Sequence, residues 1–182
     1  YYNAKKNRQT GFFILMSNIA IFLDRDGVIN EERKDYVKNI NEFKIFDYVS
    51  TAINLLKENN FLVILITNQS AINRGLITTQ TLNQIHDYLQ DYLRKSNTKL
   101  DAIYFCPHRP NENCWCRKPK PGLILKAAKD FDIDLTKSWM IGDNQSDLES
   151  AKQVGCNSFL VDEKRNLIFA VKAIIELKNS II

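Results

Sequence analysis

The sequence predicts a doubly wound, Rossmann-like α/β domain, a parallel sheet with helices on both faces. Three observations predict it. Short apolar runs rich in Ile, Val, Leu and Phe alternate with longer stretches whose apolar residues recur at helical spacing. The apolar runs are nearly continuous, the pattern of strands covered on both sides. Polar residues close each run, and in doubly wound sheets ligands bind beyond the carboxyl ends of the strands.

In chain order, residues 19–23 form the first expected strand, Ile-Ala-Ile-Phe-Leu, which ends at Asp24. Val49, Ala52, Ile53, Leu55 and Leu56 share a helical stripe, and Asn59-Asn60 stops it. The second strand is 61–66, closed by Thr67-Asn68. Thr78 and Thr79 are candidate caps for a helix carrying Leu82, Ile85, Leu89, Tyr92 and Leu93. Strands at 102–105, 138–141 and 157–161 and helices at 123–131, 146–154 and 167–178 complete the alternation. Right-handed crossovers then place the strands parallel. The stretches after the first two strands are short or helical, so any cap is minimal.

The chain has 182 residues, 45% of them hydrophobic, enough for one core and one domain spanning 19–182. A net charge of +4 with interspersed acids does not suit nucleic acid, and no run approaches a membrane span. The expectation is a cytoplasmic monomer. Residues 1–18 carry Lys5, Lys6 and Arg8 before the apolar run 12–15, yet no small-residue cleavage site follows. They are expected to be an extra, disordered segment, with Met16 the functional start.

Chemistry concentrates at the strand ends. Asp24 and Asp26 stand two residues apart before Gly27, which lets the backbone turn sharply. Two acids so close need a cation, and oxygen donors favour Mg²⁺. Asp24 is placed to attack phosphorus and Asp26 to shuttle the proton. Thr67, Asn68, Gln69 and Ser70 supply hydroxyl, amide and backbone donors for phosphoryl oxygens. Arg117 and Lys118 add fixed positive charge. Asp143 is the natural third metal ligand, while Asp147 is either a further acid or a helix N-terminal residue. Each feature alone is commonly a polar turn or a cap; together they mark consecutive strand ends in one order.

Cys106, His108, Cys114 and Cys116 form a closed Cys₃His set in a polar loop, 106–116, which suits structural Zn²⁺. Cys156, at the start of the last strand, reads as a core residue.

The order Asp-x-Asp-Gly, Thr-Asn, Lys, Gly-Asp-x-x-x-Asp resembles the haloacid dehalogenase superfamily of phosphatases over nearly the whole chain from residue 19. The resemblance implies Asp24 as nucleophile, Asp26 as acid/base, Thr67 and Lys118 as phosphoryl stabilisers and Asp143 as a Mg²⁺ ligand. Cys-Pro-His followed by Cys-x-Cys-Arg-Lys-Pro is similar to the zinc-loop branch. Within it, Thr-Asn-Gln-Ser-Ala-Ile-Asn-Arg-Gly and Lys-Pro-Lys-Pro-Gly resemble the heptose bisphosphate 7-phosphatases. That likeness implies a small phosphorylated sugar as substrate, contacted by Asn68, Gln69, Ser70, Arg74 and Arg117. The five residues between His108 and Cys114 look more like the histidinol-phosphatase branch, and Asn144 replaces a Lys that many relatives carry there. A zinc-stabilised nucleic-acid module would need a basic, aromatic-laced face, which this sequence lacks.

Overall fold

The computed structural model describes residues 17–180; residues 1–16, most of the expected N-terminal extra segment, lie outside it. Five strands, β1 (Ala20–Leu23), β2 (Leu62–Asn68), β3 (Ala102–Cys106), β4 (Trp139–Gly142) and β5 (Asn157–Leu160), form one parallel sheet in the order β3-β2-β1-β4-β5. The chain therefore starts in the middle, winds out to one edge, and returns to build the other half. The reversal falls between β1 and β4, the crevice where doubly wound folds place ligands.

Alternate strand residues feed the two layers. Ile21, Leu23, Val63, Leu65 and Ile141 pack with α1 (Val49–Glu58), α2 (Thr79–Arg94) and α5 (Leu167–Asn179). Ala20, Phe22, Ile64, Ile66 and Met140 pack with α3 (Gly122–Phe131) and α4 (Gln145–Lys152), and Cys156 joins this second core as the sequence predicts. All four residues of β1 are fully buried, so the centre of the sheet is a rigid base for the acid-bearing loop beyond Leu23.

Most boundaries shift by one or two residues from expectation, two of them with an evident cause. β2 runs on through Thr67 and Asn68, because their pairing with Phe105 and Cys106 prolongs the ladder. Of the two candidate caps, Thr78 accepts from the Thr81 N–H at 3.0 Å and Thr79 is the first helical residue. Between β1 and α1 lie loops, isolated β-bridges at Asn30 and one 3-10 turn (Ile40–Glu42), and between β2 and α2 a loop, so among the described residues no cap domain is inserted at either place. Among the described residues no helix is long and apolar enough to cross a membrane.

Candidate active site

Where β1 ends, the Asp24 N–H still donates to the Ile141 carbonyl (3.0 Å), which pins the first acid beside β4. The chain then turns through Gly27 at φ +79°. A Cβ there would lie 1.9 Å from Asp143 Oδ2, so only glycine lets the β1 loop and the end of β4 approach this closely. Gly142 is crowded in the same way: a Cβ would come 2.2 Å from Asp147 Oδ2.

Asp24, Asp143 and Asp147 bring carboxylate oxygens within 4.8 Å of one another. Lys118 Nζ, 2% exposed, lies 2.9 Å from Asp24 Oδ1 and 2.5 Å from Asp147 Oδ1, and donates to the Ile66 carbonyl. Its backbone is fixed from β2, where the Asn68 amide accepts from the Lys118 N–H (3.1 Å) and donates to its carbonyl (3.2 Å). Asp147 does two jobs at once. It is fully buried against Lys118, and it closes a capping box at the start of α4 by accepting from the Asn144 N–H. Asn144 is thus the N-cap of α4, its side chain accepting from the Ser146 N–H.

Burial pushes the Asp24 carboxyl up to about 7, against the opposing pull of Lys118, and Asp147 and Asp26 add to the rise. Burial, followed by the neighbouring Asp147 charge, pushes Asp143 up to about 6. Crowded oxygen donors that resist ionisation fit a hard divalent cation. Asp24 and Asp143 face the cavity and would hold the ion, with Asp147 behind them. Gly27→Ala is expected to push Asp143 aside and to add roughly 1–2 kcal/mol of left-handed backbone strain. Mg²⁺ affinity, titrated calorimetrically, should fall at least about tenfold, or 1.4 kcal/mol.

Asp26 lies outside that carboxylate cluster. Its oxygens accept from Arg25 Nη2 (2.9 and 3.0 Å), Asn30 Nδ2 (2.9 Å) and Gln69 Nε2 (2.8 Å). Burial acts to raise it, but Arg25 and these amide donors outweigh burial and hold it below the usual carboxylate range.

A cavity of ≈ 450 Å³ opens over these groups, lined by Asp24, Asp26, Thr67, Asn68, Gln69, Arg117, Lys118 and Asp143 from the predicted set. Ser70 and Arg74 do not line it. Ser70 is buried, and Arg74 stands behind Tyr36 with its guanidinium 5.6 Å from the ring centroid. The wall also uses Glu32, Arg33, Tyr36 and Val37, residues that sequence reasoning missed. Tyr36 holds φ +65°, a left-handed conformation costly for an aromatic residue, and only its Asp-Tyr setting hinted at a turn.

The cysteine loop reaches the cavity at Pro110 and leads directly into the lining residues Arg117 and Lys118. Cys106, Cys114 and Cys116 Sγ atoms are 3.4–3.5 Å apart, and His108 Nδ1 is 3.4–3.5 Å from two of them. Tetrahedral Zn–S bonds of about 2.3 Å place sulfurs about 3.8 Å apart, so the four donors fit Zn²⁺ with no open position. Arg109 donates to the Asn73 carbonyl and Asn73 to Glu112, tying this loop to the one after β2. Arg117 donates to the His108 carbonyl (3.1 Å), so the donor loop and the charged wall form one unit.

A central strand that ends in an acid, a strand-end carboxylate cluster and a buried lysine on a β3-β2-β1-β4-β5 sheet define a hydrolase of the haloacid dehalogenase type. The HAD-hydrolase-like family model matches residues 115–166. The chain is 47% identical over 136 residues to the D-glycero-β-D-manno-heptose-1,7-bisphosphate 7-phosphatase of Helicobacter pylori strain J99, covering 74% of this chain and 78% of that one. It is 40% identical over 151 residues to the D-glycero-α-D-manno-heptose-1,7-bisphosphate 7-phosphatase of Campylobacter jejuni, covering 82% of this chain and 86% of that one. The crystal structure of the D,D-heptose 1,7-bisphosphate phosphatase of Bordetella bronchiseptica, complexed with magnesium and phosphate, superposes with a TM-score of 0.82 at 34% identity, covering 87% of this chain and 99% of that one. The chain belongs to the heptose-1,7-bisphosphate 7-phosphatase family of HAD-like hydrolases.

Proposed function

We propose that the chain is a Mg²⁺-dependent phosphatase that removes the 7-phosphate of D-glycero-D-manno-heptose 1,7-bisphosphate through a phosphoryl-Asp24 intermediate. The observation that carries this is Asp24 at the cavity floor, paired with Lys118 at 2.9 Å beside the carboxylates of Asp143 and Asp147. Family membership supports the substrate class.

An Asp24 oxygen attacks phosphorus, and the bond from phosphorus to the sugar oxygen breaks. Asp26 gives that oxygen its proton. Water then attacks the phosphoryl group, Asp26 takes its proton, and orthophosphate leaves as Asp24 is restored. Arg25 favours the ionised form that this second step requires; the first step needs the protonated form, which the negative charge of the incoming phosphate favours at the neighbouring carboxyl. Thr67 accepts from Gln69, which leaves its own hydrogen to meet a phosphoryl oxygen, and Lys118 offsets the charge that develops. Mg²⁺, held by Asp24 and Asp143, would supply Lewis-acid stabilisation of the phosphoryl oxygens. Asn68 acts mainly by fixing Lys118, while Arg117 and Arg33 offer guanidinium groups to the rest of the substrate. Structural Zn²⁺ at Cys106, His108, Cys114 and Cys116 would hold the wall. Thiols that must stay reduced to bind zinc suit the cytoplasm.

Phosphate release should be measured across both anomers of the heptose bisphosphate, histidinol phosphate and a panel of hexose phosphates, with Mg²⁺ and with chelator. One heptose anomer should exceed every other ester in kcat/KM by at least about tenfold. Equal rates across the panel would overturn the substrate, and activity undiminished by chelation would overturn the metal. A preference for histidinol phosphate would favour the branch that the short cysteine loop resembles.

A further inference from the structure

We infer that Arg25 and Gln69 are positioning residues for the acid/base Asp26, an inference that rests on the phosphatase reading. Arg25 lies between the two acids and is 1% exposed, an unusual place for a guanidinium. Among the described residues its one carboxylate partner is Asp26, and a single nitrogen, Nη2, contacts both Asp26 oxygens. Arg25 Nε and Nη1 are buried without a hydrogen-bond partner, while the face of Phe43 lies 5.5 Å from the guanidinium carbon. A charge so enclosed and so sparsely bonded has little structural purpose beyond the carboxylate it grips. Gln69 completes the arrangement. It is 3% exposed, and its Nε2 reaches both Asp26 Oδ2 (2.8 Å) and Thr67 Oγ1 (2.9 Å). One amide therefore links the proton-transfer group to the hydroxyl placed for the phosphoryl oxygen, so that both are set relative to a single point. Gln69, expected from the sequence to lie against the sugar, works through Asp26 and Thr67.

The leaving group separates this role from a merely structural one. An alkoxide leaves only with a proton, whereas a nitrophenolate leaves without help, so misplacing the acid slows transfer from an alkyl phosphate and spares the aryl ester. Single-turnover rates of phosphoryl transfer should be compared for a sugar phosphate and p-nitrophenyl phosphate, using the zinc-loaded protein and its Arg25→Met, Arg25→Lys and Gln69→Leu variants. Arg25→Met and Gln69→Leu should slow the sugar ester about 10- to 100-fold, part of the 10²–10⁴ that general acid–base catalysis supplies, with KM little changed. The aryl ester should slow less than about threefold. Arg25→Lys should recover part of the rate, since one nitrogen makes both contacts. Thermal melts identify a variant that fails to fold, and Gln69→Leu then decides alone. Equal slowing of both esters, unchanged rates, or faster turnover overturns the positioning role while the phosphatase reading stands. A wild-type chain that transfers phosphate from neither ester overturns both.

Discussion

Asp24→Asn is expected to lower kcat by about 10⁴-fold or more, the scale seen when a nucleophile that acts in concert with its partners is removed. The amide has the shape of the carboxylate but cannot attack phosphorus, so no part of the covalent route survives. Stability should respond differently. Asp24 is buried near Asp147 and Asp26, and its ionisation is costly enough to push its carboxyl up to about 7. Lys118 keeps Asp147 as a partner when Asp24 becomes neutral. The melting temperature without Mg²⁺ should therefore hold within the shift of about 1 kcal/mol typical of benign substitutions, and zinc content should be unchanged. Steady-state phosphate release and a thermal melt check the two halves. Turnover near that of the parent would sink the phosphoryl-aspartate.

Removing zinc should be nearly as damaging, by another route. Structural Zn²⁺ sites bind with an apparent 10–16 kcal/mol or so, energy that orders the segment holding the ligands. Here that segment carries more than itself. Cys116 precedes Arg117 and Lys118, and Arg117 is bonded to the His108 carbonyl. Cys116→Ser, or exhaustive chelation, should take zinc from about one ion per chain to near none, lower the melting temperature and reduce kcat/KM at least about a hundredfold. Elemental analysis beside kinetics and melts gives the readout. Cys156→Ser is the control, since that buried thiol sits in the second core away from the loop and should keep its zinc. A metal-free protein with parental stability and activity would remove the structural role.

The fold was legible because each strand is an unbroken apolar run ended by a polar residue, a local property of the chain. The cysteine set was legible for a similar reason, since all four donors fall in one short loop. The partners of the acids were not. Asp26 stands two residues from Asp24, and sequence proximity argues for a shared ion, yet successive backbone turns send its carboxylate toward Arg25, Asn30 and Gln69. The place beside Asp24 and Asp143 goes to Asp147, whose spacing was equally that of a helix cap; it turns out to serve as both. Arg74 reads from the sequence as a phosphate contact, but the left-handed turn at Tyr36 interposes an aromatic ring. Such outcomes depend on side-chain direction across elements, which a linear pattern does not encode.

The buried lysine beside the carboxylate cluster also sets an electroneutrality condition on the centre. Asp24, Asp143 and Asp147, when ionised, against the Lys118 ammonium leave two negative charges in a partly enclosed crevice, and Arg25 with Asp26 forms a separate neutral pair. A doubly charged ion closes that balance; a singly charged one leaves a deficit and a trivalent one an excess. An incoming phosphate dianion reopens it by the same amount. Arg33 and Arg117, the guanidiniums at the cavity wall, oppose it, although Glu32 lines the same wall and Arg33 is already paired with Asp35. Occupancy of the site is thus coupled through charge, the ion offsetting the carboxylates before the phosphate dianion enters.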